Sequence, residues 1–122
     1  MVKGRKITGG KYKDFRKKKK HSLPGIDRKV KLRETKQKTI KGIGKTSKNV
    51  LLSTNKINVM DPKTKKAKIT TLTNVLETPS NRFLARQNIL VKSTIIETEL
   101  GKARITNRPS QEGMVQGVLI EG

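Results

Sequence analysis

The sequence predicts an all-β protein: a small β barrel or sandwich behind a basic N-terminal extension, with at most one short helix. Three observations lead there. Apolar residues are few and unevenly placed, 11 in residues 1–48 and 27 in residues 49–122, so only the second part can supply a core. Short runs rich in Val, Ile and Thr recur between turn signals such as Asp61-Pro62 and Leu100-Gly101, the pattern of antiparallel strands. One of those runs folds back on itself so that both of its faces match.

Taken in order, residues 1–25 show no usable periodicity and are punctuated by Gly4, Gly9, Gly10, Pro24 and Gly25. They have too few apolar groups to offset the entropy of ordering, and are expected to be a disordered extension in isolation. The β domain is expected to span residues 26–122, with a basic loop near 41–49. In "IDRKVKLRE", Ile26, Arg28, Val30 and Leu32 alternate with Lys29, Lys31 and Arg33. "KTIKGIG" is a weaker strand pattern. In "NVLLSTNKINVM", Ile57 and Val59 face one way and Asn58 and Met60 the other; the Asp61-Pro62 turn and "KAKITTLTNVLE" then complete a hairpin. "ETPSNRFLARQN" reads either as an irregular loop or as a short helix from Pro79 to Gln87, capped by Thr78, with Arg82 and Arg86 on one face. In "TIIETELGKARIT", a two-residue Leu100-Gly101 loop would set Glu99 opposite Lys102 and Glu97 opposite Arg104. Thr98 would then meet Ala103, and Ile96 would meet Ile105. "GMVQGVLIE" supplies a last strand.

Charge narrows the function. The chain carries 30 Lys/Arg against 9 Asp/Glu, a net charge of +21. Residues 1–48 hold 19 of those cations with 3 anions, and residues 49–122 hold 11 with 6. Five adjacent cations, Arg16 to Lys20, repel one another and call for a polyanionic partner. No apolar run approaches the ~20 residues of a membrane span, and Met1 to Lys20 lacks the apolar stretch of a secretory signal. The arm also lacks the apolar face of a membrane-surface helix. Nucleic acid remains. With only Tyr12, Phe15 and Phe83 as aromatics, a base-stacking platform is disfavoured, and a lysine-rich arm favours phosphate neutralisation over reading of guanine. The candidate contacts are Arg5, Lys6, Thr8, Gly9, Gly10, Lys11, Lys13, Arg16, Lys17, Lys18, Lys19 and Lys20 in the arm. Beyond it they are Arg28, Lys29, Lys31, Arg33, Lys41, Lys45, Lys48, Arg82 and Arg86.

Catalytic readings fail on inventory. Gly44-Lys45-Thr46 matches the end of a phosphate-binding P-loop, but that pattern needs glycine where this chain has Thr39, and a strand-to-helix context. The loop is read instead as a mobile basic segment in which Gly42 and Gly44 let the backbone approach phosphate. There is no cysteine, and His21, alone in the lysine run, is a spectator or an added phosphate contact. Glu97 and Glu99 are accounted for by strand pairing. No enzyme, no cofactor, no metal and no small-molecule substrate is expected.

A family resemblance sharpens the partner. "RKITGG" followed by "RKKKK" resembles the N-terminal signature of the archaeal and eukaryotic small-subunit ribosomal protein family called S8e. "DPKTKKAKI", "TPSNR", "QNIL", "IIETELGKARIT" and "RPSQEGMVQGVLIE" are similar to that family's later blocks, in the same order. The short length resembles the archaeal form, since eukaryotic members carry a large insertion. Two departures stand out. "HSLPG" has Ser22 and Pro24 where members place an acidic or amide residue and then glycine, and "KGIGKTSKN" stands where members tend to carry an arginine-glycine loop. The resemblance implies a cytoplasmic structural component of the small ribosomal subunit, a β barrel whose basic extension threads ribosomal RNA beside neighbouring ribosomal proteins. Its phosphate-facing signature would be Arg5, Thr8, Gly9, Gly10, Arg16, Lys17, Lys18 and Lys20. The alternative is a free-standing basic protein that compacts DNA, which has no reason to carry the later blocks.

Overall fold

In the computed structural model, which describes residues 4–13 and 17–120, nine strands and one short helix follow a single 3-10 turn at Lys20–Ser22. The strands are β1 (Val30–Leu32), β2 (Lys36–Lys41), β3 (Ser47–Thr54), β4 (Lys56–Met60), β5 (Ala67–Glu77), β6 (Ile89–Leu90), β7 (Ile95–Thr98), β8 (Gly101–Ile105) and β9 (Gln116–Leu119). Helix α1 spans Arg82–Arg86. Strands β4, β5, β7, β8 and β9 form a closed barrel in that order, and β2, β3, β1 and β6 form a separate four-stranded sheet. Of the two all-β architectures open to the sequence, the barrel is the one observed.

Alternation builds the barrel interior. Ile57 and Val59 of β4, Ile96 of β7, and Ala103 and Ile105 of β8 are all buried, as period-two patterning requires. On β5 the inward positions step from Thr70 and Leu72 to Val75, and pairing with β7 shifts register at the same place. The extra residue bends β5 around the barrel. Closure comes from β9, which pairs parallel to β4 (Asn58 opposite Gln116, Val59 opposite Gly117) and antiparallel to β8. One cluster joins these residues to Val30, Leu51 and Leu90 of the second sheet, so the two sheets share a core.

The β7–β8 hairpin exists, but its register differs from the sequence expectation by two residues. Glu97 lies opposite Lys102 rather than Arg104, Ile96 opposite Ala103 rather than Ile105, and Thr98 opposite Gly101. The loop is Glu99-Leu100, and Gly101 follows it with φ of 121°. Glycine is needed where the chain leaves the loop with positive φ, so it sits after the turn rather than within it. A two-residue slip keeps every side chain on its face, which is why apolar alternation could not reveal it.

Three further differences have local causes. Helix α1 begins at Arg82 and is capped by Asn81, whose side chain accepts from the Phe83 N–H at 2.9 Å. The Asn81 N–H donates to the Thr78 carbonyl (3.1 Å), so Pro79 occupies the second position of a turn before the helix. Thr78 is buried with its hydroxyl toward Thr94, and does not cap. Ile26 is 94% exposed and lies outside β1; a three-residue strand does not reach it. Finally, "NVLLSTNKINVM" is two strands, β3 and β4, parting at Asn55 between the sheet and the barrel.

Candidate nucleic-acid interface

The second sheet gathers the basic residues of the segment after the arm. Ser53 of β3 has Lys31 of β1 on one side and Lys36 of β2 on the other. Residues opposite one another on neighbouring strands project to the same face, so both lysines flank Ser53. Two strand spacings separate their Cα atoms by about 10 Å, close to a Debye length in physiological salt, so their repulsion is incompletely screened. The β1–β2 connection crosses the end of β3 and is pinned there. The Ser53 hydroxyl donates to the Glu34 carbonyl (2.6 Å), the Arg33 N–H to the Thr54 carbonyl (3.3 Å), and the Thr35 hydroxyl to the Asn55 side chain (3.2 Å).

The result is a groove of about 320 Å³ lined by Lys29, Lys31, Arg33 and Lys36 with Glu34, Leu52 and Ser53. An adjoining groove of about 410 Å³ shares Lys29 and adds Arg28, Lys92 and Arg108 over Ile89, Leu90 and Pro109. Arg28 is oriented there by donating from Nε to the Ser110 carbonyl at 3.3 Å. Seven cations thus line two grooves that share Lys29, with Glu34 the one carboxylate among the lining residues.

The other sequence candidates fall into separate places. Arg5 to Lys11 form a minimal hairpin. Arg5 and Lys11 make an antiparallel bridge, Lys6 N–H donates to the Gly10 carbonyl, and Gly9 N–H to the Lys6 carbonyl (both 2.9 Å). Gly9, with φ of 79°, supplies the left-handed turn residue, and the Arg5 guanidinium donates to its carbonyl at 3.0 Å. Thr8 and Gly10 lie in this turn, and the Lys6 ammonium sits 5.7 Å from the Tyr12 ring centroid. Lys13, Lys17, Lys18 and Lys19 are exposed, and Lys20 opens the 3-10 turn that includes His21. Arg16 lies outside the described residues.

Lys41 and Lys48 end β2 and lie in β3, while Lys45 sits in the five-residue turn between those strands. The turn itself accounts for both glycines of "GIGKT". A Cβ on Gly42 would lie 2.5 Å from the Thr46 hydroxyl, and Gly44 has φ of 71°. A hairpin here, without a following helix, is incompatible with a P-loop. Arg82 and Arg86 do share one groove, between α1 and β5, with Asn74, Glu77 and Asn88. The Arg86 guanidinium also rests 5.8 Å from the Phe83 ring centroid.

Residues absent from the sequence-derived set include Lys36, Lys92 and Arg108, which complete the two grooves, and a lysine-rich loop at 61–66. The alternating lysines of "KQKTIK" signalled an exposed strand face. Nothing in the sequence signalled that Lys92 and Arg108 come beside Arg28. Among the described residues no group of His, Asp or Glu is placed to hold a metal ion, and no helix is long and apolar enough to cross a membrane.

Comparison with known proteins identifies the family. The family model described as ribosomal protein S8e matches residues 2–120. The small ribosomal subunit protein eS8 of Methanococcus aeolicus is 44% identical over 117 residues, covering 95% of this chain and 91% of the relative. The proteins of the same name from Methanocella arvoryzae and Haloarcula marismortui are 43% and 41% identical, each covering at least 95% of this chain and at least 93% of the relative. With nearly the whole length matched, and with a barrel and basic sheet built from the matching segments, this chain belongs to the ribosomal protein S8e family, a family of structural proteins and not of enzymes.

Proposed function

We propose that this protein is a structural constituent of the small ribosomal subunit that holds ribosomal RNA by phosphate and shape recognition. The observation that carries the reading is the pair of grooves, sharing Lys29, that are lined by Lys29, Lys31, Arg33, Lys36, Arg28, Lys92 and Arg108 with a single carboxylate. With 30 cations and 9 anions in the chain, internal pairing leaves a net charge of +21 to be neutralised from outside, and a folded RNA supplies that charge densely. Residues 1–25 act as an RNA-binding extension: the Arg5–Lys11 hairpin offers a compact basic turn, and Lys17 to Lys20 supply counter-charge. Residues 26–122 act as the rigid domain that fixes where the extension enters. Arg82 and Arg86 contribute a separate contact from α1. Neighbouring ribosomal proteins meet the surfaces that RNA leaves free.

Sedimentation of lysate through a sucrose gradient in high-magnesium buffer tests the reading. The chain is expected with the small subunit; recovery with chromosomal DNA instead would overturn it and favour DNA compaction.

A further inference from the structure

The β4–β5 loop has no part in the grooves described above, yet it concentrates charge. Lys63, Lys65 and Lys66 are exposed in it, and Lys68 is exposed beside it at the start of β5. The loop is built rather than slack. The Asp61 carboxylate accepts from the Lys63 N–H (3.0 Å) and from the Thr64 hydroxyl (2.9 Å), while the Asp61 carbonyl accepts from the Lys65 N–H (2.9 Å). The Asp61 N–H donates in turn to the Lys66 carbonyl (3.0 Å). The Lys63 amide, then the Thr64 hydroxyl, hold the Asp61 carboxyl below its usual range. Lys65 has φ of 54°, a left-handed conformation in which glycine would be the easier residue. The loop keeps a long cation there instead.

Topology sets this loop at the opposite end of β4 from the smaller groove. Strands β4, β7 and β9 all run away from the second sheet, and the loop lies beyond the end of β4, at the same barrel end as the Glu99-Leu100 turn. The smaller groove lies toward the other end of β4: its Ser53 precedes Met60 by seven residues, a span of at most about 25 Å. Glu99, in the turn at that barrel end, accepts from the Thr71 hydroxyl.

We propose that the Asp61-organised lysine loop is a second, separate RNA-backbone contact, so that one chain holds two RNA segments, one at each end of β4. The inference rests on the RNA-binding reading above and adds the bridging geometry to it. Lysines on a fixed loop present point charges to phosphates without reading bases.

The test uses the full chain and two RNA duplexes carrying a donor and an acceptor fluorophore. Wild type is expected to bind one duplex and recruit the second, giving energy transfer. K63A/K65A/K66A/K68A should still bind the first duplex but lose the transfer. Transfer equal to wild type in that variant overturns the proposal. Failure of the wild type to bind either duplex would remove the RNA reading itself, and the bridging with it. A second pair of variants separates geometry from charge. Asp61→Asn and Asp61→Ala each raise the net charge by the same amount, but only Asn retains an oxygen for the Lys63 N–H. Second-duplex affinity several-fold lower for Asp61→Ala than for Asp61→Asn supports a pre-organised loop; equal affinities would show that Asp61 organises nothing of use.

Discussion

Removing the four cations of the smaller groove should change the salt dependence of RNA binding more than it changes the fold. The variant is K29A/K31A/R33A/K36A. Each cation that neutralises a phosphate releases condensed counterions, contributing roughly 0.7–0.9 to the slope of log K against log[salt]. All four side chains line one groove, so the variant should flatten the slope by at most about 3.6. Extrapolated to physiological salt, that corresponds to a loss of about 10²–10³ in affinity. Stability should be retained, because Lys29, Lys31, Arg33 and Lys36 are exposed and their removal relieves repulsion. Anisotropy titrations of small-subunit RNA across a salt series measure the slope, and circular dichroism checks the fold. An unchanged slope with an intact fold would refute the assignment of the groove to phosphate binding. The analogous variant of Lys17 to Lys20 has the same upper limit, so the two together show how binding divides between arm and sheet.

Two other predictions concern the barrel that carries the grooves. Gly117→Ala would place a Cβ 3.0 Å from both the Arg104 carbonyl oxygen and the buried Ile57 Cδ1; overpacking of this kind costs about 1–3 kcal/mol, and a Tm lowered by roughly 5–20 °C in thermal melts is expected. The register of the β7–β8 hairpin predicts that a double-mutant cycle couples Glu97 to Lys102 by about 0.2–1 kcal/mol, with a smaller coupling of Glu97 to Arg104, which the observed register makes its diagonal neighbour rather than its direct partner.

Much of this protein was legible in its residues because the signals are local. Period-two alternation in "KINVM" and "KARI" marks strands whose inward residues are indeed buried, and Asp61-Pro62 marks the turn that joins β4 to β5. The net charge needs no structure at all to imply a polyanionic partner. Local signals stop where two solutions have the same local pattern. The hairpin register kept its faces after a two-residue slip and was decided by which position had to adopt positive φ, that of Gly101. The start of α1 was decided by the burial of Thr78, which left Asn81 as the cap. The site shows the same division. Lys29, Lys31 and Arg33 could be named from their alternation, whereas Lys36, Lys92 and Arg108 join them only because β2 and β1 flank β3 and the loop holding Arg108 meets Arg28. Composition and patterning set which residues are strand, turn and charge. The parallel closure of β4 on β9, and the meeting of distant cations on one surface, were decided by tertiary packing, since non-local pairings leave no trace in the sequence near either partner.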